Sequence, residues 1–365
     1  RDSVASRGLG DVYKRQRKDR RVTTSAQANT PKKRLHVTTI STLVTYALVI
    51  IGAIIPVPYM VEMPGPVFNT LGKHEGTEVV TISGAKTYPT SGTLDMLTVA
   101  VAGGPGRKVY PSQALWSVVK KKDTVVPSEA YYPLTTTRDQ VTQENNAQMA
   151  TSQDFAVAAA LNHLGKKYET RLGIGSVAAG AAVEGVVEPG DIITKLNGEK
   201  INGSAEDIAR VQDTVAKGDP VELDIERDGK KLHEKITPKG TADGPKLGVV
   251  LAPTYDFPID VKFNLEDVGG PSAGLVFALT IIDKLEPGDM TGGKRIAGTG
   301  QIAEDGAVSP IGGARQKVVA ANEAGVEYFL SPAGNCAEAA QAAKGLDMKV
   351  VRVDTCLLYT SDAAD

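Results

Sequence analysis

One serine and one lysine in the second half of the chain have the residue types that a hydrolase needs. Ser272 lies in the segment Gly270–Gly274, and Lys317 follows the pair Gly312-Gly313. A serine hydroxyl becomes a nucleophile when a nearby base takes its proton. No histidine follows Ser272, and a lysine that burial keeps neutral can act as the base instead. The sequence therefore predicts a Ser-Lys hydrolase.

The segment around Ser272 also fits the G-x-S-x-G turn of the α/β-hydrolases. That fold requires a histidine after its serine, but all four histidines of this chain precede Ser272. The sequence therefore excludes an α/β-hydrolase. For Lys317, spacing alone leaves two interpretations open, a catalytic base and an ordinary exposed lysine on a helix.

A helix is predicted to begin at Ser272, because apolar residues recur on one face of the segment that follows. These residues are Leu275, Leu279 and Ile282. Pro271 suits a first helical turn, and the free backbone N–H groups there could stabilise the oxyanion of a tetrahedral intermediate. Gly270 and Ala273 are small and would let a substrate backbone approach.

Strands and helices alternate from about residue 246 to residue 353, which indicates a mixed α/β domain. The strands are predicted near 260–265, 295–302, 326–330 and 348–353, and the helices from Ser272, from Ala314 and over about 334–344. Lys317 falls in the second of these helices. Its apolar neighbours would bury it and lower its pKa, which suits a general base.

Residues 165–240 form a separate module with turn residues in a characteristic order. A Pro-Gly-Asp turn, a strand and an Asn-Gly turn occupy Val187–Gly198, followed by a helix capped by Ser204 and a hairpin through Asp228-Gly229. This order resembles a PDZ domain of the bacterial protease type. The resemblance implies a groove that takes an extended peptide, often a C-terminus, as an added strand. A small β-rich spacer without a ligand is the alternative.

Three motifs follow one another in the last third of the chain. They are Gly270–Gly274, then Thr299-Gly300 after a predicted strand, then Pro310–Gly313 leading to Lys317. In this order they resemble the proteolytic domain of the Lon-type proteases, over about residues 247–353. The resemblance implies that Ser272 is the nucleophile, that Lys317 is its base, and that Thr299 hydrogen-bonds the lysine and holds its orientation.

Two positions depart from the Lon pattern. Many members carry an acidic residue three positions before the serine, where this chain has Gly269. Many members also have Glu where this chain has Gln301. These departures concern how the serine is activated and leave the predicted dyad in place.

The N-terminal part combines a basic block with an apolar segment that carries no charge. Residues 17–34 are rich in Arg and Lys, and no Asp, Glu, Lys or Arg occurs between Arg34 and Glu62. Because about 20 apolar residues cross the hydrocarbon of a bilayer, the sequence predicts one transmembrane helix over 38–59. The basic block predicts a cytoplasmic N-terminus and a protease domain outside the membrane. A cleaved signal peptide and a buried core helix are the alternatives.

The composition gives no reason to expect several kinds of partner and site. A net charge of −2 over 365 residues gives no reason to expect nucleic acid as a partner, and two cysteines make neither a disulfide framework nor a metal site. No metal or cofactor is predicted. The segment Gly288–Lys294 approaches a phosphate-binding loop, but Arg295 stands where Ser or Thr should hold Mg²⁺, so no ATP site is predicted. Residues 1 to about 16 and 356–365 resemble translated flanking sequence.

The predicted fold is multidomain, of the α/β and α+β classes. Its parts are a basic N-terminus (1–37), a transmembrane helix (38–59), a mixed strand and helix region outside the membrane (60–164), a PDZ domain (165–240) and a Lon-type proteolytic domain (246–355). This order resembles the membrane-anchored Lon-like PDZ proteases of Gram-positive bacteria, including actinobacteria.

The predicted function is ATP-independent cleavage of unfolded or flexible protein segments at the cell membrane. The resemblance to Lon-type domains also implies a homo-oligomer. The alternative is a non-catalytic PDZ adaptor at the membrane, whose Lon-like domain only assembles or binds.

Overall fold

The computed structural model describes residues 32–133, 135–242, 244–265 and 268–355. The α-helices in these residues are α1 (Lys32–Ile54), α2 (Pro111–Val119), α3 (Arg138–His163), α4 (Ala205–Ala216), α5 (Gly274–Leu285), α6 (Ala314–Glu323) and α7 (Cys336–Ala342). Helix α1 and Tyr110–Ser112 belong to one compact unit. The described residues of Pro58–Val109 and those from Gln113 onward belong to a second unit.

The strands are numbered along the chain. The first ten are β1 (Tyr59–Asn69), β2 (Lys73–His74), β3 (Thr77–Glu78), β4 (Val80–Ser83), β5 (Thr93–Ala102), β6 (Thr124–Pro127), β7 (Glu169–Val177), β8 (Ile192–Leu196), β9 (Glu199–Lys200) and β10 (Val221–Arg227). The others are β11 (Lys230–Ile236), β12 (Lys239–Thr241), β13 (Gly244–Lys246), β14 (Val249–Asp256), β15 (Asp260–Phe263), β16 (Arg295–Gly298), β17 (Gln301–Ile302), β18 (Val308–Ser309), β19 (Tyr328–Pro332) and β20 (Lys349–Val353).

Helix α1 covers most of the segment predicted to span a membrane, but with different bounds. It ends at Ile54, and β1 begins at Tyr59, inside the predicted span 38–59. Within the described ranges, no helix combines the length and the apolar character that crossing a membrane requires. The predicted transmembrane helix is therefore not supported.

A mixed sheet forms the centre of the region predicted to be the proteolytic domain. Its strand order is β20-β19-β16-β5-β1-β6, with parallel pairing from β20 to β5 and antiparallel pairing from β5 to β6. Three of these strands, β1, β5 and β6, come from the region 60–164, which the sequence sets apart from the proteolytic domain. The two regions share one sheet, because extended segments far apart in sequence pair through backbone hydrogen bonds that residue patterns do not reveal.

Helices α5 and α3 pack against each other beside this sheet and position the serine segment. Every residue of α5 is buried, which agrees with its nearly continuous apolar sequence. Helix α3 is Ala-rich and begins with a capping box, in which Thr137 and Gln140 satisfy each other's backbone N–H groups. The small alanines allow α3 to lie close to α5.

The module predicted to be a PDZ domain has its own sheet, in the order β11-β10-β8-β7-β14, with β9 on β8. Helix α4 is capped by Ser204, whose hydroxyl accepts from the N–H of Asp207 at 3.1 Å. Strand β14 pairs with β7 from Val249 opposite Val177 to Asp256 opposite Glu169. The predicted boundary at 246 assigns β14 to the proteolytic domain, whereas this pairing places it at the edge of the PDZ sheet.

A small polar contact joins the two parts of this unit. The hydroxyls of Tyr168 and Tyr255 donate to the carboxylate of Glu304 at 2.8 and 3.1 Å. Tyr255 lies on β14, and Glu304 is the second residue after β17. Because burial raises the pKa of both tyrosines, their hydroxyls keep the protons that these hydrogen bonds need.

Candidate active site

Ser272 lies in a tight turn just before α5. The helix begins at Gly274 with Ala273 as its N-cap, so the predicted start at Ser272 is two residues too early. Helix α3 is hydrogen-bonded to this turn, since the N–H of Gly270 donates to the carbonyl of Asn145 at 3.0 Å. Gly270 has a φ of 88°, a left-handed conformation that glycine adopts without strain.

A second contact from α3 fixes the same turn. The hydroxyl of Ser152 donates to the carbonyl of Pro271 at 3.0 Å. A Cβ atom on Gly274 would lie 2.9 Å from that hydroxyl and 2.7 Å from a methyl group of Ile302. The serine segment therefore needs small residues where it crosses α3 and β17.

The missing acidic residue at position 269 has a local structural reason. A Cβ atom on Gly269 would lie 2.9 Å from the Cβ of Asn145 on α3. Real Cβ atoms do not approach this closely, so any side chain at 269 would require α3 or the turn to move. The space that an acidic side chain would need is occupied by Asn145.

Lys317 lies on α6, 2% exposed, with its amino group directed at the serine. Its Nζ is 2.7 Å from the Oγ of Ser272 and 2.8 Å from the Oγ1 of Thr299. Helix α6 begins after Gly313, whose φ is 70° and where a Cβ would lie 2.7 Å from Val99. A left-handed glycine packed against β5 thus sets the start of the helix that carries the lysine.

The hydrogen bond to Thr299 leaves the lone pair of a neutral Lys317 amine free. Thr299 Oγ1 donates to the carbonyl of Ser272 at 3.1 Å, so it can only accept from Lys317. A neutral lysine amine that donates to Thr299 keeps its lone pair for the proton of the Ser272 hydroxyl. The geometry is therefore that of a nucleophile, a base and a group that orients the base.

The electrostatics of the site favour a neutral lysine. Burial lowers the pKa of Lys317 from 10.5 to about 7. No carboxylate in the described part of the chain forms an ion pair with it. The amine thus exchanges its proton near neutral pH, which is the range in which a general base is most effective.

Family models match two regions of this chain. Residues 266–356 match the model for the Lon protease (S16) C-terminal proteolytic domain, and residues 166–237 match the PDZ domain model. Residues 266–356 therefore carry a Lon-type proteolytic domain, and residues 166–237 carry a PDZ domain. The Lon-type domain supports serine peptidase as the enzyme class.

Curated Lon proteases are similar to this chain over part of their length. The Lon protease of Campylobacter concisus is 36% identical over 134 residues, which cover 35% of this chain and 16% of that protein. The Lon protease of Helicobacter pylori is 29% identical over 201 residues, or 50% of this chain and 23% of the relative. The chain thus spans less than a quarter of the length of these two relatives.

Among solved structures, the PDZ domain of an SdrC-like protein from Listeria innocua is 21% identical to this chain. The match covers 22% of this chain and 92% of that chain, with a TM-score of 0.20.

The Lon-type domain offers two backbone donors beside the Ser272 hydroxyl. The N–H groups of Ser272 and Ala273 donate to no acceptor within the described residues. Both lie in the turn that leads into α5, where the positive end of the helix dipole also acts. An oxyanion that forms on a substrate bonded to Ser272 would meet donors of the kind that stabilise tetrahedral intermediates.

The residues predicted from sequence therefore lie together, and others join them. Ser272, Lys317 and Thr299 are in direct contact, while Gly270, Pro271 and Ala273 form the turn that presents the serine. The supporting residues Asn145 and Ser152 were not predicted. They lie more than a hundred positions before the serine, on a helix that carries no recognisable motif, so no sequence signal identifies them.

Proposed function

We propose that this chain is a serine endopeptidase in which Ser272 is the nucleophile and Lys317 the general base. The observation that supports this most strongly is the 2.7 Å contact between Lys317 Nζ and Ser272 Oγ, made by a buried lysine whose pKa is lowered to about 7. General base catalysis of this kind contributes about 10²–10⁴ in rate. No other hydroxyl in the described residues contacts the Nζ except that of Thr299.

The proposed reaction proceeds through an acyl-enzyme. Neutral Lys317 takes the proton of Ser272 as Oγ attacks the peptide carbonyl carbon, and the N–H groups of Ser272 and Ala273 bond the resulting oxyanion. Lys317 then gives its proton to the leaving amine as the C–N bond breaks. A water molecule attacks the ester, Lys317 again accepts a proton, and the return of that proton to Ser272 Oγ releases the carboxylic acid product.

The PDZ domain is proposed to bind extended or C-terminal segments of the substrate. Strand β14 is the edge of its sheet, with β7 on one side and no further strand on the other among the described residues. Val250 on this edge is 59% exposed. An extended peptide can add to such an edge through main-chain hydrogen bonds.

Cleavage is proposed to need no ATP. The segment that comes nearest to a phosphate-binding loop forms the turn between α5 and β16, where Gly292 and Gly293 have positive φ values. A phosphate-binding loop instead joins a strand to a following helix. We therefore expect equal rates of peptide cleavage with and without added ATP.

Membrane attachment is proposed on the sequence alone. Residues 35–61 contain no Asp, Glu, Lys or Arg, and the basic block precedes them. Attachment through 38–59, with the protease domain outside the cell membrane, predicts that the chain stays in the membrane fraction after alkaline carbonate extraction. Release into the supernatant would contradict it.

Cleavage of unfolded casein tests the proposed peptidase activity. Wild type should degrade it, and Ser272→Ala and Lys317→Ala should not, with all three chains shown to be folded by circular dichroism. Ser128→Ala is a suitable control, because this serine hydroxyl bonds only the carbonyl of Pro58. Equal cleavage by all four chains would overturn the proposal and leave a PDZ adaptor as the function.

A further inference from the structure

Helix α2 exposes its apolar side chains and buries a polar one. Leu115, Trp116, Val118 and Val119 are between 61% and 68% exposed, whereas Ser117 is only 7% exposed. A helix on the surface of a soluble protein normally shows the reverse arrangement. Four large apolar side chains that lie next to one another and face outward mark an interaction surface.

Basic residues lie at both ends of this apolar surface. Lys120 and Lys121 follow the helix, Arg107 and Lys108 precede it, and all four are exposed. No carboxylate in the described ranges forms an ion pair with Lys120 or Lys121, whereas Lys122 pairs with Glu323 at 3.1 Å. Two exposed lysines are therefore available to an anionic partner beside the apolar face.

The combination of these residues favours a lipid surface over a second protein. Tryptophan and lysine are typical of helices that lie in the boundary between headgroups and acyl chains. Protein interfaces are instead depleted in lysine around their apolar centre. Each lysine near an anionic bilayer adds attraction that a neutral bilayer cannot supply.

We propose that α2 docks on the surface of an anionic lipid bilayer. Leu115, Trp116, Val118 and Val119 enter the boundary between headgroups and acyl chains, and Lys120 and Lys121 contact lipid phosphates. The residues of this surface lie outside the segment 38–59 in the sequence. It depends neither on the proposed peptidase activity nor on a spanning helix.

The single tryptophan of the chain makes this docking measurable at one site. The full chain is mixed with vesicles of phosphatidylcholine containing about one-third phosphatidylglycerol, and with vesicles of phosphatidylcholine alone. In the anionic vesicles, Trp116 fluorescence should shift to shorter wavelength, and quenching by acrylamide should fall at least about threefold. High salt should weaken this protection, because it screens the attraction between lysines and phosphates.

Charge reversal separates lipid binding from general electrostatic effects. The double variant Lys120→Glu, Lys121→Glu should need about tenfold more anionic lipid, or more, for the same shift. The matched control is Lys230→Glu, Lys231→Glu, which changes the net charge equally at two exposed lysines on β11 of the PDZ sheet. The control should behave as wild type. A second variant, Leu115→Ser with Val119→Ser, should lose the shift in anionic vesicles while casein cleavage is retained.

Three outcomes would overturn the proposal. The first is Trp116 emission that stays that of a water-exposed indole in anionic vesicles. The second is an equal loss of the shift in the Lys230 and Lys231 control. The third is a shift to shorter wavelength that grows with protein concentration without lipid, since that would place a second copy of the chain on α2.

Discussion

Two lysines are buried in the Lon-type domain, and their partners differ. Lys284 on α5 is 8% exposed and donates to the carbonyl of Val80 at 2.6 Å and to the carboxylate of Glu78 at 3.2 Å. Lys317 on α6 is 2% exposed and contacts only the hydroxyls of Ser272 and Thr299 among the described residues. The two lysines are thus buried to a similar extent, but Lys284 contacts a carbonyl and a carboxylate, whereas Lys317 contacts hydroxyls.

The difference shows how a buried lysine is held for structure or for proton transfer. A carbonyl and a carboxylate can only accept, so they hold Lys284 as a donor through charge-assisted hydrogen bonds. A hydroxyl can donate as well as accept, so the Ser272 hydroxyl can give Lys317 a proton, while the Thr299 hydroxyl accepts from the lysine. Burial without an opposite charge lowers the pKa of Lys317 to about 7, which makes that exchange accessible near neutral pH.

The largest expected effect separates the two lysines by activity. Lys317→Met should reduce kcat/KM for a peptide substrate at least about 10³-fold, because the variant lacks the proposed general base. Lys284→Met should keep kcat/KM within about threefold once the rate is corrected for the folded fraction. Equal losses in both folded variants would show that burial of a lysine, and not its partners, determines activity.

The next largest expected effect is a change of the free energy of unfolding with pH. The unfolded chain holds the Lys317 proton up to the ordinary pKa of 10.5, whereas the folded chain releases it near 7. Between these values the unfolded state binds more protons, so the free energy of unfolding should rise with pH by about 1.4 kcal/mol per unit from this group. At lower pH the folded chain carries the full cost of a buried charge.

Urea unfolding at pH 6 and pH 9 measures this contribution of Lys317. It is the difference in the free energy of unfolding between wild type and Lys317→Met. The stability advantage of Lys317→Met should be largest at pH 6 and shrink toward pH 9, since the variant has no proton to bind. A constant difference across this range would contradict a depressed pKa for Lys317.

The smallest expected effect concerns Thr299, whose hydroxyl is proposed to orient Lys317. Thr299→Val removes the hydroxyl that accepts from Lys317 and should lower kcat about tenfold, equivalent to about 1.4 kcal/mol, with little change in KM. Thr299→Ser keeps the hydroxyl and should restore most of the rate. If Thr299→Ser is as slow as Thr299→Val, the packing of the methyl group matters and the hydrogen bond does not.

The candidate site could be predicted from sequence because its residues lie in short, local patterns. Ser272, Thr299 and Lys317 each stand beside glycines or at the start of a helix, and these features depend on neighbours in the chain. The exact start of α5 was missed by two residues because the cap at Ala273 makes no side-chain hydrogen bond that a pattern could indicate.

The parts that could not be predicted depend on contacts between distant segments. The pairing of β14 with β7 and the entry of β1, β5 and β6 into the proteolytic sheet are set by tertiary packing. The contacts of Asn145 and Ser152 with the serine turn arise in the same way. An apolar segment such as 38–59 indicates a preference for an apolar environment, but its helix bounds came only from the structure.

The most direct test of the account is covalent labelling of the serine as a function of pH. A fluorophosphonate should form an adduct on Ser272, located by mass spectrometry of the digested chain, at a rate that rises with pH around a midpoint near 7. The same reaction should be at least about 10²-fold slower in Lys317→Met, with the pH dependence lost. An adduct elsewhere, or labelling of Ser272 that Lys317→Met leaves unchanged, would contradict the Ser-Lys dyad.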